Sequence, residues 1–517
     1  MAFRPTVGLD IGSQQIKAVE LRPGKGGRLT VSAVGVAPTP AGVMQNNIIT
    51  DPQLMGQAVK QLLRECGIRE KRTVGSVAGQ SAVVVRIIEV PKMTDAELKE
   101  TMRWEVERHV PFAPSETVID YQPLVSADPM ADSNPNMEVL LAVAQQDVIS
   151  NYVDTLFAAG LDPLAIDIEP LAVSRATLDL VDGRPVTRPT APPPPPPSPD
   201  GGEFAGMPMD TGPHDTAAIV NIGATNTDIS IYQDGQLMFP RSLPLAGDSL
   251  TRAIADSLGL PPEQAERLKR DHASVQLDRM AVYTGTYYGD EPNFESPQFG
   301  DDLSFGGAPS SRLRPFGEGE ANPFEMNPEG PQFDDLDRTQ PMSSRTLDLA
   351  KPPPPAEKLP FTPTDDTGFT TPDAGPAVDD EQRNQIFEAI APVLGELATE
   401  LRRSLDYYRS RAQGRSVDRV LLTGGSASLG NLASFLQREL QVPVLVADPL
   451  AGLDVAAKHY DAQYLQVIAP VFAIALGLAA RDAVFDANPA PRPAKAPRAP
   501  KGAKAAAPGE PTVPPVS

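Results

Sequence analysis

The segment VGLDIGSQQIKAVEL, residues 7–21, decides the fold of this chain. An apolar run ends at Leu9, the turn DIGS follows at residues 10–13, and a second run begins at Ile16. This order predicts two buried strands joined by a turn, in which glycine lets backbone N–H groups approach a ligand without a Cβ in the way. Such a turn suits phosphate, although Asp and Gly are also the commonest residues of ordinary β-turns.

Two later segments repeat the pattern. The turn NIGAT, residues 221–225, follows the apolar run AIV and precedes a second strand at residues 228–232. The turn TGGS, residues 423–426, follows the apolar run VLL. Since the first two turns predict the same strand–turn–strand unit in two halves of the chain, the three turns together outline a nucleotide cleft between two domains.

The repeated hairpin and the third turn resemble the nucleotide-binding elements of the actin and Hsp70 ATPase superfamily. The resemblance implies that the first two turns and Lys17 contact phosphate and that the third turn is the adenosine loop. A helix predicted at residues 261–269 begins with prolines and has Glu266 and Lys269 on one face. An isolated pair of this kind is usually a solvated salt bridge, whereas the resemblance implies contacts to ribose and adenine.

The candidate nucleotide contacts therefore come from four segments. They are Asp10, Gly12, Ser13, Lys17, Asn221, Gly223, Ala224, Thr225, Glu266, Lys269, Gly424, Gly425 and Ser426. The cofactors that the resemblance implies are ATP and Mg²⁺, with Asp10 approaching the metal through water.

Longer matches narrow the resemblance to the PilM family, in the branch that also contains FtsA. They are VPKM at 90–93, RWEVERHVPF at 103–112, GLDP at 160–163, DIEPLA at 167–172 and ELRRSLDYY at 400–408. The fold class implied is α/β, a two-domain actin-like ATPase fold with a small subdomain inserted in domain I and long disordered insertions.

The function implied by the PilM resemblance is that of a cytoplasmic, ATP-binding adaptor in type IV pilus assembly. Such a protein docks the N-terminal cytoplasmic peptide of PilN at the inserted subdomain and couples the inner-membrane platform to the pilus motor. Trp104 and Phe112 are candidates for lining that groove, with an ordinary core role as the alternative. Contacts with other platform and motor proteins and self-association are further implications of the resemblance.

Two other functions fit the same fold. A small-molecule kinase would need a carboxylate base beside its acceptor hydroxyl, and the sequence shows no polar constellation suited to that role beyond the phosphate turns. An FtsA-like division protein would need an amphipathic membrane anchor, whereas the tail after residue 488 is rich in Pro, Ala, Lys and Arg and has no apolar face.

Composition and motifs divide the chain into seven segments. We expect domain I at 5–183 with an inserted subdomain at about 86–165, a Pro-rich linker at 184–214, and domain II beginning at 215–277. We further expect an acidic disordered insert at 278–380, the rest of domain II with the adenosine loop at 381–460, a C-terminal helix returning to domain I at 461–484, and a disordered basic tail at 485–517.

The charge of this chain is concentrated. Of the net charge of −22, the insert at 278–380 carries −13, from 20 acidic and 7 basic residues. Nucleic-acid binding is therefore not expected. The single cysteine, Cys66, excludes internal disulfides, and we expect neither a signal peptide nor a membrane span. We expect a cytoplasmic protein that its partners recruit to the inner membrane.

One residue departs from the superfamily pattern. Asn221 begins the second phosphate turn, where actin-like ATPases usually have an aspartate that holds metal-bound water. An amide oxygen accepts a hydrogen bond from such a water but carries no charge, so Mg²⁺ loses part of the anionic environment that it prefers. We therefore expect ATP to bind and to be hydrolysed very slowly or not at all.

Overall fold

A computed structural model describes residues 3–79, 83–110, 113–124, 135–181, 183–186, 215–284, 379–412, 414–456, 460 and 462–487. Its strands are β1 (Thr6–Ile11), β2 (Gln15–Pro23), β3 (Leu29–Pro38), β4 (Met44–Gln45), β5 (Ile48–Ile49), β6 (Arg72–Val77), β7 (Val83–Pro91), β8 (Thr117–Pro123), β9 (Asn136–Gln145), β10 (Asp162–Ile168), β11 (Leu180–Val181), β12 (Arg184–Pro185), β13 (Thr216–Ile222), β14 (Thr227–Gln233), β15 (Gln236–Leu243), β16 (Arg419–Thr423), β17 (Val444–Val446) and β18 (Asp454–Val455).

The helices follow the same chain order. They are α1 (Pro52–Glu65), α2 (Asp95–His109), α3 (Gln146–Ala159), α4 (Glu169–Thr177), α5 (Gly247–Leu258), α6 (Pro262–His272), α7 (Ala281–Thr284), α8 (Asp380–Arg411), α9 (Leu432–Leu440), α10 (Ala462–Ile468), α11 (Ala473–Ala479) and α12 (Arg481–Ala487). Short 3₁₀ turns lie at Lys25–Gly27, Pro114–Glu116, Gly425–Ser428 and Ala469–Phe472. None of the helices in these described ranges combines the length and apolar character needed to cross a bilayer.

Two large sheets repeat one arrangement. The first sheet has the order β10-β6-β1-β2-β3-β18 and the second has the order β15-β14-β13-β16-β17. In each sheet an antiparallel hairpin, β1–β2 or β13–β14, is extended by an antiparallel strand on one side and by parallel strands on the other. The duplicated hairpin predicted at residues 7–21 and 218–232 is therefore the centre of each sheet.

The first sheet is closely covered by the last helices of the described chain. A Cβ built on Gly8 of β1 would lie 1.8 Å from the carbonyl oxygen of Ala475 in α11. On the same helix, a Cβ on Gly477 would lie 1.6 Å from the carbonyl oxygen of Ala172 in α4. Only glycine permits backbones to approach this closely, and the approach lets α11 pack against β1 and α4 without a gap.

The third sheet is the inserted one. Its order is β7-β9-β8, and α2 packs on one face through Leu98, Met102 and Val106. The helix begins with a capping box, in which the Thr94 hydroxyl and the Glu97 carboxylate each accept a hydrogen bond from the other residue's backbone N–H. The insertion ends at Gln145, before the expected boundary at 165, because α3 packs on α1 and β10 pairs with β6 of the first sheet.

Several expected boundaries shift because of packing that composition does not reveal. The insert expected from residue 278 begins later, since Met280 is fully buried in the core of the second sheet. The tail expected from residue 485 also begins later, since α12 continues to Ala487. The single C-terminal helix expected at 461–484 is three helices and a 3₁₀ turn, because Pro470 has no amide N–H to continue a helix.

Candidate functional site

A cavity of about 870 Å³ lies where the two large sheets present their glycine turns. Its lining contains every candidate nucleotide contact named from the sequence: Asp10, Gly12, Ser13, Lys17, Asn221, Gly223, Ala224, Thr225, Glu266, Lys269, Gly424, Gly425 and Ser426. Segments more than four hundred residues apart in sequence thus converge on one cleft, because the hairpins of both sheets direct their turns into it.

The first turn is built around a buried ion pair. Asp10 and Lys17 are direct cross-strand partners in the β1–β2 hairpin, and Lys17 Nζ lies 2.9 Å from Asp10 Oδ2. Asp10 is only 2% exposed. The hydroxyl of Thr39 donates to the carbonyl oxygen of Gly12 at 2.7 Å, which fixes the turn. The Lys17 ammonium is therefore held at the floor of the turn with its charge directed toward Gly12.

The second turn places a different pair at the equivalent position. Asn221 and Asp228 are direct cross-strand partners in the β13–β14 hairpin, as Asp10 and Lys17 are in the first. Asp228 lines the cavity, and burial raises its pKa from 3.8 to about 6. Sequence reasoning missed Asp228, although its spacing of seven residues from Asn221 equals that of Lys17 from Asp10. The anionic environment thought to be lost at Asn221 is thus partly restored by its neighbour.

Glu169 is a second carboxyl group that the sequence did not single out. It is the first residue of α4, directly after β10, and it lines the cavity. Burial and the nearby carboxylates of Asp228 and Asp10 raise its pKa well above the usual range of a glutamate. The signal that could have found it is its place at the carboxyl end of a parallel strand, where cleft residues of α/β sheets collect.

The third turn is locked onto the second. Gly424 has φ +89° and ψ 174°, a conformation open almost only to glycine. A Cβ at this position would lie 2.5 Å from the carbonyl oxygen of Ile222 and 2.6 Å from Asn221 Oδ1. The backbone N–H of Gly424 donates to the carbonyl oxygen of Pro470 at 3.1 Å. The break at Pro470 thus lies in direct contact with the loop.

The Glu266–Lys269 pair lies in the cleft as well as in a salt bridge. Lys269 Nζ is 2.6 Å from Glu266 Oε2, and it also donates to the carbonyl oxygen of Gly247 at 3.0 Å and to Thr251 Oγ1 at 2.9 Å. The Lys269 side chain is only 11% exposed, so the interpretation of the pair as a solvated salt bridge is wrong for Lys269. The pair ties α6 to the first turn of α5 at one wall of the cavity.

The described residues do not form a metal cage. Among them, no three His, Cys, Asp or Glu side chains converge on a point where they would hold an ion. One oxygen of Asp10 is already bonded to Lys17. A cation in this cleft would therefore need other ligands, such as phosphate oxygens and water, with Asp10 and Asp228 contributing charge.

The two groove candidates fare differently. Trp104 lies on α2 with 67% of its surface exposed, on the side away from Leu98 and Met102. A core role for Trp104 is therefore wrong, and its indole is open to solvent. Phe112 lies outside the described residues.

Comparisons with known proteins agree with this architecture. A family model for the type IV pilus assembly protein PilM matches residues 8–186, and one for the cell division protein FtsA matches residues 218–477. FtsA of Escherichia coli (strain K12) is 22% identical over 314 residues, which are 57% of this chain and 64% of that protein. FtsA of Bacillus subtilis (strain 168) is 34% identical over 61 residues, which are 12% of this chain and 14% of that protein. The chain thus spans less than two thirds of the length of these curated relatives.

A solved structure, the PilM–PilN type IV pilus biogenesis complex, shares the fold. It has a TM-score of 0.58 and 24% identity, and the match covers 93% of this chain and 98% of that one. The two-domain actin-like ATPase fold expected from the sequence is confirmed by this likeness.

The backbone conformation of Gly424 in the third turn leads to a prediction about stability. We expect Gly424→Ala to lower the free energy of unfolding by about 2 kcal/mol or more, since alanine resists this backbone conformation and its Cβ meets two oxygen atoms. Gly425→Ala is the matched control, because a Cβ there meets nothing within 4 Å. Urea unfolding of both variants checks the expectation. Equal unfolding midpoints would show that the turn is not locked as described.

The raised pKa of Asp228 makes a pH prediction. Between pH 3.8 and about 6 the folded chain holds a proton on Asp228 that the unfolded chain has lost, so the free energy of unfolding falls as pH rises through this window. We expect Asp228→Asn to be more stable than the parent at pH 7, by roughly 1 to 2 kcal/mol, and equally stable below pH 4. Thermal unfolding from pH 3.5 to 7.5 measures this; a variant less stable at pH 7 contradicts it.

Proposed function

The chain belongs to the actin-like family that contains the type IV pilus assembly protein PilM and the cell division protein FtsA, and on that premise we propose an ATP-binding pilus assembly adaptor. In this role the cleft binds ATP with Mg²⁺, and the inserted sheet docks the N-terminal cytoplasmic peptide of PilN. The observation that carries the proposal is the convergence of all candidate nucleotide contacts on one cavity.

The residues of the cleft suit a nucleoside triphosphate. Phosphate is recognised by backbone N–H groups of glycine turns and by ammonium groups, and the cleft offers the turns at Gly12 and Gly223 together with Lys17. At the other end, α6 and the third turn form two facing walls, to which ribose and adenine are assigned. Helix α5 connects to the third turn through the carbonyl oxygen of Gly223. This oxygen accepts hydrogen bonds both from Ser426 Oγ and from the backbone N–H of Gly247, the first residue of α5.

Magnesium would bind together with the nucleotide and not at a preformed site among the described residues. It would supply charge neutralisation for the phosphates, and Asp10 and Asp228 are the carboxyl groups placed to interact with it through water. Burial, together with Asp228 and Asp10, raises the pKa of Glu169, which disfavours the ionised form that could take a proton from water. This supports slow or absent hydrolysis for a reason different from Asn221 alone.

The pilus assignment rests on the first half of the chain. The inserted sheet, residues 83–145, lies within the range that the PilM family model matches. Docking to PilN, a membrane protein, would recruit the chain to the cytoplasmic face of the inner membrane. The FtsA alternative is favoured by the second half, where the FtsA family model matches residues 218–477, which contain the second sheet.

A small-molecule kinase is less well supported than the adaptor. The structure does supply a carboxyl group that the sequence did not single out, since Glu169 lines the cavity. Burial, Asp228 and Asp10 raise its pKa, which disfavours the ionised form that would act as a general base. A phosphotransfer assay with simple sugars and acetate separates the two functions, since turnover with either substrate would favour the kinase.

Nucleotide binding is tested at Lys17. Lys17→Gln keeps a hydrogen-bond donor for Asp10 but removes the charge, and we expect it to weaken binding of an ATP analogue by about 1.5 to 3 kcal/mol, roughly tenfold to a hundredfold. Lys99→Gln, on the exposed face of α2, is the matched control. Isothermal calorimetry measures both. Equal affinity of Lys17→Gln and the parent would remove Lys17 from the site.

Partner binding is tested by deletion. We expect a chain in which residues 187–214 and 285–378 are replaced by short Gly-Ser linkers to bind a PilN N-terminal peptide as tightly as the full chain, because acidic low-complexity sequence offers no preformed groove. Fluorescence polarisation gives the two affinities. If the folded deletion variant no longer binds, the docking site lies in the removed segments instead.

A further inference from the structure

A short two-stranded turn from the first half of the chain borders the cleft. The strands β4 and β5 are joined by Asn46 and Asn47, which have φ values of +49° and +64°. Two consecutive left-handed residues make the tight hairpin turn that asparagine tolerates best among residues with side chains. The turn lines the cavity through Met44, Asn47 and Ile49, although no nucleotide contact was expected there.

Asn47 reaches across the cleft to the second phosphate turn. The hydroxyl of Thr225 donates a hydrogen bond to Asn47 Oδ1 at 3.0 Å, joining residues 178 positions apart in sequence. Thr225 is also one of the residues assigned to phosphate. A second bond crosses the cleft nearby, from Gln14 Nε2 to Asp248 Oδ1 at 3.3 Å.

The donor groups of the two cross-cleft hydrogen bonds carry different numbers of protons. The Gln14 amide carries two protons and can donate to Asp248 and to a ligand at once, whereas a threonine hydroxyl carries one. Thr225 must therefore direct its proton either to Asn47 or to a phosphate oxygen. A charged phosphate is the stronger acceptor, because charge-assisted hydrogen bonds are roughly twice as strong as neutral ones.

The other side of the Asn47 turn contacts both connections of the inserted sheet. A Cβ built on Gly79 would lie 3.0 Å from Asn47 Nδ2, so the amide packs directly on Gly79. The carbonyl oxygen of Gly79 accepts from the backbone N–H of Val83 at 2.9 Å, where β7 begins. Asn151 of α3, the helix that follows β9, donates to the carbonyl oxygen of Ile49 at 2.9 Å.

We propose that the Thr225 hydroxyl is a phosphate-responsive switch, which holds Asn47 when the cleft lacks phosphate and releases it when phosphate binds. Release frees the Asn47 turn, and through Gly79 and Asn151 it alters the two connections of the inserted sheet. The proposal rests on the proposed function and gives it a mechanism, since nucleotide and partner peptide then bias the same two-state contact. Asn47 is a positioning residue in this scheme, and the nucleotide need not touch it.

The direction in which Asn47→Gly changes the affinity for nucleotide distinguishes a switch at Asn47 from a direct contact between Asn47 and the ligand. Asn47→Gly removes the competing acceptor and keeps the left-handed backbone without strain. We expect it to tighten binding of a non-hydrolysable ATP analogue by about two- to tenfold, the range of one neutral hydrogen bond. Asn46→Gly is the matched control, since it changes the same turn at a residue without the Thr225 contact, and we expect it to leave affinity unchanged. Weaker binding by Asn47→Gly would overturn the switch.

Hydrogen exchange on the full chain gives a second test. We expect the analogue to speed exchange of amides at residues 44–49 and at Val83 in the parent, and to have no further effect on them in Asn47→Gly. If calorimetry shows the analogue bound while these amides keep their rates, the switch is rejected and nucleotide binding stands. If the analogue does not bind the parent at all, the proposed function fails and the switch fails with it.

Discussion

The register of the β1–β2 hairpin is the constraint on which the cleft depends. A shift by one residue would turn every side chain of these strands to the opposite face, removing Lys17 from the cleft and turning the apolar side chains of β1 toward α11. The Asp10–Lys17 pair opposes such a shift, because a buried carboxylate without its cation would cost several kcal/mol. Gly8 adds a steric limit, since α11 leaves no space for any side chain at that position. One hairpin thus fixes the sheet, the covering helix and the phosphate turn together.

The duplicated sheet explains why the two halves of the cleft have different chemistry. The same backbone position carries an aspartate paired with lysine in the first hairpin and an asparagine paired with aspartate in the second. Each hairpin therefore contributes one carboxyl group, although from opposite strands. A comparison of the turns alone suggests that the second half has no carboxylate at this position, whereas the cross-strand pairing shows that the carboxylate lies on β14, at Asp228.

Much of this site could be predicted from the sequence, and the remainder has a common cause. Apolar runs followed by glycine turns identified the two hairpins, because each of these signals lies within a few residues. Glu169 and Asp228 depend on which strands lie side by side, and Asn47 depends on a contact across the cleft. The boundaries near Met280 and α12 depend on the burial of Met280, Ala483 and Val484 in cores assembled from distant segments. Composition does not encode any of these long-range contacts.

The ionisation of the cleft is consistent with a polyanionic ligand. Asp10 is paired with Lys17 and Glu266 is paired with Lys269, while burial and nearby carboxylates raise the pKa of Glu169 and so disfavour its ionised form. Asp10 and Glu266 therefore add little net negative charge to the cavity, and the raised pKa of Glu169 reduces its contribution. Asp228, with a pKa near 6, is mostly ionised at pH 7 and protonated in mild acid. The ionised Asp228 carboxylate repels a free triphosphate and attracts a cation. A metal-complexed nucleotide therefore suits the cleft better than a free nucleotide, and this preference should diminish as pH falls below 6, because Asp228 then becomes protonated.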